Sequence, residues 1–137
     1  MGVAAARLET VDACTRRELM RQRRDRFINN LLSLGGPIVL NGPCGRDRHP
    51  GNANLRFGGF SAHDILGALQ PHIAASTGSA CTSGIPEPSH VLRAIGLTRR
   101  EADSSIRFSL GLDTTDEDID HASALIAEVL SILPQVD

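Results

Sequence analysis

At 137 residues with 41% apolar content, the chain can bury one core and is too short for two large domains. Aromatic residues make up only 3%, four Phe with no Trp or Tyr, so the core must rest on Leu, Ile, Val and Ala. The formal charge of -2 excludes a general nucleic-acid role, which needs a concentrated excess of Lys and Arg to release counterions from phosphate.

The N-terminus, Met1-Gly2-Val3-Ala4-Ala5-Ala6-Arg7, lacks a basic region followed by an apolar one, and no stretch approaches the roughly 20 apolar residues that span a bilayer. The expected location is cytoplasmic, with no membrane partner. Residues 8–34 read as a long helix, with Leu19/Met20, Phe27/Ile28 and Leu31/Leu32 at helical spacing, stopped by Gly35-Gly36-Pro37. Arg23 and Arg24 interrupt that stripe. They belong to a run of six Arg between Arg16 and Arg26, which reads as a solvated helix face or, alternatively, as a dock for an acidic partner. The other end has opposite character, with nine acidic residues from Glu101 onward against the single Arg107.

Ile38-Val39-Leu40 is a short strand, residues 41–51 are a loop, and Ala53, Leu55 and Phe57 alternate with Asn54 and Arg56 as a half-buried strand ended by Gly58-Gly59. Ser61, Thr98 and Thr115 each stand three residues before an acid, Asp64, Glu101 and Asp118. That spacing is the signature of a capping box and predicts helices near 62–70, 99–103 and 116–133. The last shows Ile119, Ala122, Ile126, Val129/Leu130 and Leu133 on one face. Ile73-Ala74-Ala75 reads as a short buried strand, Val91 to Ile95 as a short helix closed by Gly96, and Ser105 to Leu110 as a strand. The predicted fold is α+β, a small open sheet covered by helices.

Chemistry concentrates in two places. Residues 75–84 are nearly all small and have no hydrophobic period, and they carry Cys81. A thiol among hydroxyls and backbone amides can be a nucleophile, while a cysteine that merely packs in a small-residue turn fits the same composition. Cys14, Cys44 and Cys81 are an odd number without a CxxC, which suggests neither a disulfide framework nor a zinc site. The loop has no GK[ST] or GxGxxG for phosphate, and His49, His63, His72, His90 and His121 are too scattered for a ligand set. His90 could approach Cys81 if the chain folds back, but it reads as a surface residue of the following helix. In the strand Ser105 to Leu110, Ile106, Phe108 and Leu110 share one face, which puts Arg107 on the other. A guanidinium on a rigid strand can grip a carboxylate bidentately, or it can simply be solvated.

The run Ser76-Thr77-Gly78-Ser79-Ala80-Cys81-Thr82-Ser83, followed by Glu87 to Leu97 and Ser104 to Gly111, is very similar to the C-terminal part of the cysteine desulfurases, class V enzymes of the NifS/IscS type. The likeness extends over residues 7–137 and implies the C-terminal small domain of a fold-type I pyridoxal phosphate (PLP) enzyme. In that family the loop thiolate takes sulfur from PLP-bound L-cysteine, leaving alanine and a persulfide for iron-sulfur or tRNA-thiolation acceptor proteins. By motif position the resemblance implies that Cys81 is the catalytic nucleophile and Arg107 binds the substrate carboxylate. The family's large domain supplies the Schiff-base lysine. All fourteen basic residues here are Arg, so cofactor-binding residues are expected outside this sequence, and the chain alone is expected to be inactive. The resemblance therefore leaves three roles: half of a desulfurase completed by a lysine-bearing PLP-domain chain, a non-catalytic remnant, or a PLP-independent persulfide carrier. Gly111-Leu112-Asp113 departs from the family, whose members often carry Arg directly after the Gly.

Overall fold

The alternation of Asn52-Ala53-Asn54-Leu55-Arg56-Phe57 organises the chain, because it gives the central strand one dry face and one wet face. A computed structural model describes residues 11–77 and 89–136. Among these, the elements in chain order are α1 (Val11–Leu32), β1 (Ile38–Leu40), a 3₁₀ turn (Gly45–Asp47), β2 (Asn52–Phe57), α2 (Ala62–Leu69), α3 (His90–Ala94), α4 (Arg99–Asp103), β3 (Ser105–Ser109) and α5 (Asp116–Ile132). The strands form an antiparallel sheet in the order β1-β2-β3. Ile38 pairs with Phe57, Leu40 with Leu55, Asn54 with Arg107 and Leu55 with Ile106.

Ala53, Leu55, Phe57, Ile106 and Phe108 point to the covered face, where they meet Phe27, Ile28 and Leu31 of α1, Ile65 and Leu69 of α2, and Ile119, Ile126 and Val129 of α5. Few aromatics serve this core, and they are placed together. Phe108 packs edge-on against Phe27 at 5.1 Å and against Phe57 at 6.4 Å between ring centroids, arrangements worth roughly 0.5–1.5 kcal/mol each beyond their buried area. Gly51 is required by close approach, since its carbonyl accepts from Leu110 N at 2.8 Å and a Cβ there would stand 2.4 Å from Leu110 O.

The α+β expectation is met, and the predicted ends of most elements fall within one or two residues of the observed ones. Two expectations are corrected. Ile73-Ala74-Ala75 is not a strand: the amide of Ile73, like that of His72 before it, returns to Leu69 O, at 3.0 and 2.9 Å, which takes the segment's first donor away from β3. Only Ser76 reaches the sheet, in an isolated bridge to Arg107. The arginine run of α1 is not simply solvated either. Arg23 pairs with Asp116 and Arg26 with Asp120 of α5, so the oppositely charged ends of the sequence face each other. Arg24 is fully buried.

Thr98 and Thr115 form complete capping boxes with Glu101 and Asp118, whereas Ser61 only accepts from Asp64 N. Hydrogen bonds from Thr98 hold Glu101 below its usual range, and those from Thr115 do the same for Asp118. A carboxylate with a depressed folded pKa stabilises the fold above its unfolded pKa, and that contribution is lost as the pH falls through the folded value. The wild-type chain should therefore lose urea resistance on acidification below about pH 4. Glu101→Gln with Asp118→Asn should lower the midpoint at pH 7 and reduce the difference between pH 7 and pH 3. An unchanged difference would refute this role for the two boxes.

Candidate functional site

The wet face of the sheet is where a charged side chain can be both rigid and accessible. Arg107 is exposed there, in the middle of β3. Its backbone exchanges two hydrogen bonds with Ser76, Arg107 N to Ser76 O at 2.7 Å and Ser76 N to Arg107 O at 3.1 Å. Arg107 therefore has β2 on one side and Ser76 on the other. Arg107 lines a cleft of ≈ 270 Å³ together with Asn41, Arg48, Asn54, Leu92 and Ile95.

The cleft wall is a continuous polar network. Asn41 is nearly buried and donates through Nδ2 to Asn54 Oδ1 at 2.7 Å and to Ser105 Oγ at 2.9 Å. Ser105 in turn donates to Glu101 O at 2.6 Å. Arg48 donates to Pro43 O at 2.8 Å, to Asn52 Oδ1 at 2.9 Å and to Asn41 O. Burial, and next the charge of neighbouring Arg24, hold Arg48 below the ordinary arginine value. Arg48 is thus committed to the protein. Among the described residues no acceptor contacts the Arg107 guanidinium, so of the two cations lining the cleft Arg107 is the one able to take an anion. A free guanidinium fork fits a carboxylate.

The Cys81 thiol lies outside the described residues. Both flanks of its segment, however, meet this cleft: Ser76 bridges to Arg107, and Ser89 is part of the cleft lining. His90, the first residue of α3, is exposed. Cys14 and Cys44 are exposed free thiols. Among the described residues no group of three His, Cys, Asp or Glu could hold a metal, and no helix is long and apolar enough to cross a membrane. A second depression of ≈ 690 Å³ lies around Val39, Phe60 and Arg99. Its Arg56 is already paired with Glu101.

Sequence reasoning placed Arg107 on this face of the sheet and did not single out Asn41, Asn54 and Arg48 beside it. One signal was available, because Asn is depleted in strands and yet stands twice in β2, at 52 and 54.

The Aminotransferase class-V profile matches residues 1–122. The chain belongs to the aminotransferase class-V family. Its relatives include the cysteine desulfurase IscS of Rickettsia typhi, 44% identical over 80% of this chain and 26% of that protein. The cysteine desulfurase of a Frankia strain is 50% identical over 69% of the chain and 22% of its own length. IscS of Shewanella piezotolerans is 39% identical over 96% and 32%. A solved NifS-like protein superposes with a TM-score of 0.73 at 25% identity, over 89% of this chain and 30% of its own. The sequence thus spans about a quarter to a third of the length of most of these class V relatives.

Pyridoxal phosphate, the cofactor expected from the resemblance, does not fit this class V chain as a Schiff base, because the sequence offers no lysine amine. The chain's own donors suit a carboxylate instead.

The network makes one expectation for stability. Truncating Asn41 strips buried partners from Asn54 and Ser105, a loss of about 1–3 kcal/mol for a group left unsatisfied. Asn41→Ala should lower the unfolding free energy by that amount in urea titrations. A change of under about 0.5 kcal/mol, the size of ordinary surface substitutions, would show that the network does not support the wall.

Proposed function

We propose that these residues are the sulfur-accepting small domain of a cysteine desulfurase. In this reading Arg107 grips the carboxylate of L-cysteine, and Cys81 receives its sulfur as a persulfide, leaving alanine. The observation that carries the reading is the convergence of both flanks of the Cys81 segment on the Arg107 cleft. Cys81 stands five positions after Ser76, so the chain from one to the other spans at most about 18 Å. A thiol on that tether can meet a substrate held at Arg107.

Each residue has a limited task. Arg107 binds and orients, and its planar fork fixes the carboxylate at two points. Cys81 must act as the thiolate, the nucleophilic form of the side chain. Sulfur moves from L-cysteine to Cys81 Sγ, with alanine as the other product, so the exchange needs no outside oxidant. PLP, when bound, supplies the electron sink for the carbon framework of the substrate. The lysine that holds it must belong to a large domain outside this sequence. Val91 and Ile95, both exposed and both lining the Arg107 cleft, support the idea that this side meets a further domain, as exposed apolar surface beside a polar site often marks an interface. The persulfide would then pass to an acceptor protein of the iron-sulfur or tRNA-thiolation kind.

The test combines the chain with a lysine-bearing class V large domain, PLP and sulfur-labelled L-cysteine. Label should appear on Cys81 and vanish in Cys81→Ser. Arg107→Ala should reduce kcat/KM by about 10- to 100-fold, as expected from losing a charge-assisted contact. The chain alone should show no absorbance band of a PLP–lysine Schiff base. Equal labelling of the Ser variant, or an unaffected Arg107→Ala, would overturn the reading.

A further inference from the structure

Arg24 is the largest fully buried side chain among the described residues, in a helix whose neighbouring arginines pair at the surface. Its guanidinium reaches three backbone carbonyls of the loop before β2: Gly45 O at 3.1 Å, His49 O at 3.0 Å and Arg48 O at 3.4 Å. The remaining donors go to Asp25 Oδ1, at 2.9 and 2.6 Å. A buried charge costs several kcal/mol to desolvate, and an apolar side chain would often be at least as stabilising in its place. Here the cost is compounded by the second guanidinium of Arg48 nearby. What Arg24 supplies that an apolar residue cannot is geometry.

We infer that Arg24 is a positioning residue for the Arg107 cleft, acting through Arg48 and the two asparagines Asn41 and Asn54. The inference rests on the reading of that cleft as a carboxylate site. Arg24 fixes the backbone at residues 45, 48 and 49. Arg48, held at its own carbonyl, then ties Pro43, Asn41 and Asn52 together. Asn41 locks the Asn54 side chain, and Asn54 stands directly across the ladder from Arg107. The chain of contacts thus begins in the interior and ends on the residue beside the free guanidinium. Lysine could not replace Arg24, because one ammonium cannot reach three carbonyls and a carboxylate with fixed fork geometry.

The experiment is NMR of the isotope-labelled chain, reading the Arg107 Nε–H, the side-chain amides of Asn41 and Asn54, and the methyls of Leu55, Ile106 and Ile126. In Arg24→Lys and in Arg48→Lys the amide and Arg107 resonances should move while the core methyls stay. Arg26→Lys, which alters only the surface pair with Asp120, should move none of them. Titration with L-cysteine under reducing conditions should show about tenfold weaker binding to Arg24→Lys than to wild type, equivalent to losing one charge-assisted hydrogen bond. Unmoved Asn54 and Arg107 resonances in the folded variants, or unchanged L-cysteine affinity in Arg24→Lys, would overturn the inference. If Arg24→Lys does not fold, Arg48→Lys decides. If L-cysteine leaves wild-type Arg107 unaffected, the carboxylate reading fails, and the ligand-free comparison still settles whether Arg24 positions the cleft.

Discussion

Everything else in this domain depends on the two-faced character of β2. Because successive side chains of a strand point to opposite faces, Ala53, Leu55 and Phe57 can be dry while Asn52, Asn54 and Arg56 stay wet. The dry face recruits α1, α2 and α5 and fixes the register, since a slip by one residue would drive Asn54 and Arg56 into the core. Among the described residues, the helices beside the wet face are α3 and α4, where Leu92 and Ala102 are buried. A rigid polar surface with a cleft in it is the direct consequence.

Much of this was legible in the sequence because it is local. Strand alternation, the Thr98 and Thr115 caps and the apolar face of α5 are set by spacings of two to four residues. Placing Arg107 opposite Phe108 and Ile106 needed nothing more than the period of a strand. The same locality explains the failures. Ile73-Ala74-Ala75 has the apolar run of a strand, but whether a run pairs depends on where its amides go, and Leu69 O takes the first of them. Arg24 breaks an apolar stripe, which by pattern alone means a solvated side chain. Its three carbonyl acceptors lie 21 to 25 residues away in sequence, and no periodicity encodes such a distance.

Charge follows the same division. The arginine run of α1 read as a solvated helix face, with docking of an acidic partner as the alternative, yet Arg23–Asp116 and Arg26–Asp120 join it to α5 across more than 90 residues. Pairs so exposed contribute roughly 0–1 kcal/mol each, too little to hold the fold. Their effect is on pairing: opposite signs favour this packing of the two helices and oppose packing either helix against its own kind. The core supplies the stability that these pairs do not.

The use of arginine alone as a base also bears on what the cleft can do. A guanidinium stays protonated in proteins and has no acceptor, so neither Arg48 nor Arg107 can serve as a proton-abstracting base or an amine nucleophile near neutral pH. A lysine at position 107 could bind a carboxylate as a point charge, but it would give up the planar fork that fixes the angle of approach. In the proposed reading, the task of this surface is orientation and that of Cys81 is nucleophilic attack. Those two tasks tolerate different amounts of freedom. In that reading, orientation rests on the strand, the asparagine wall and the buried Arg24 behind it, while a thiol with two successive partners would need more freedom than a strand allows. The bridge between Ser76 and Arg107 ties the strand that carries the guanidinium to the stretch of sequence that leads to Cys81.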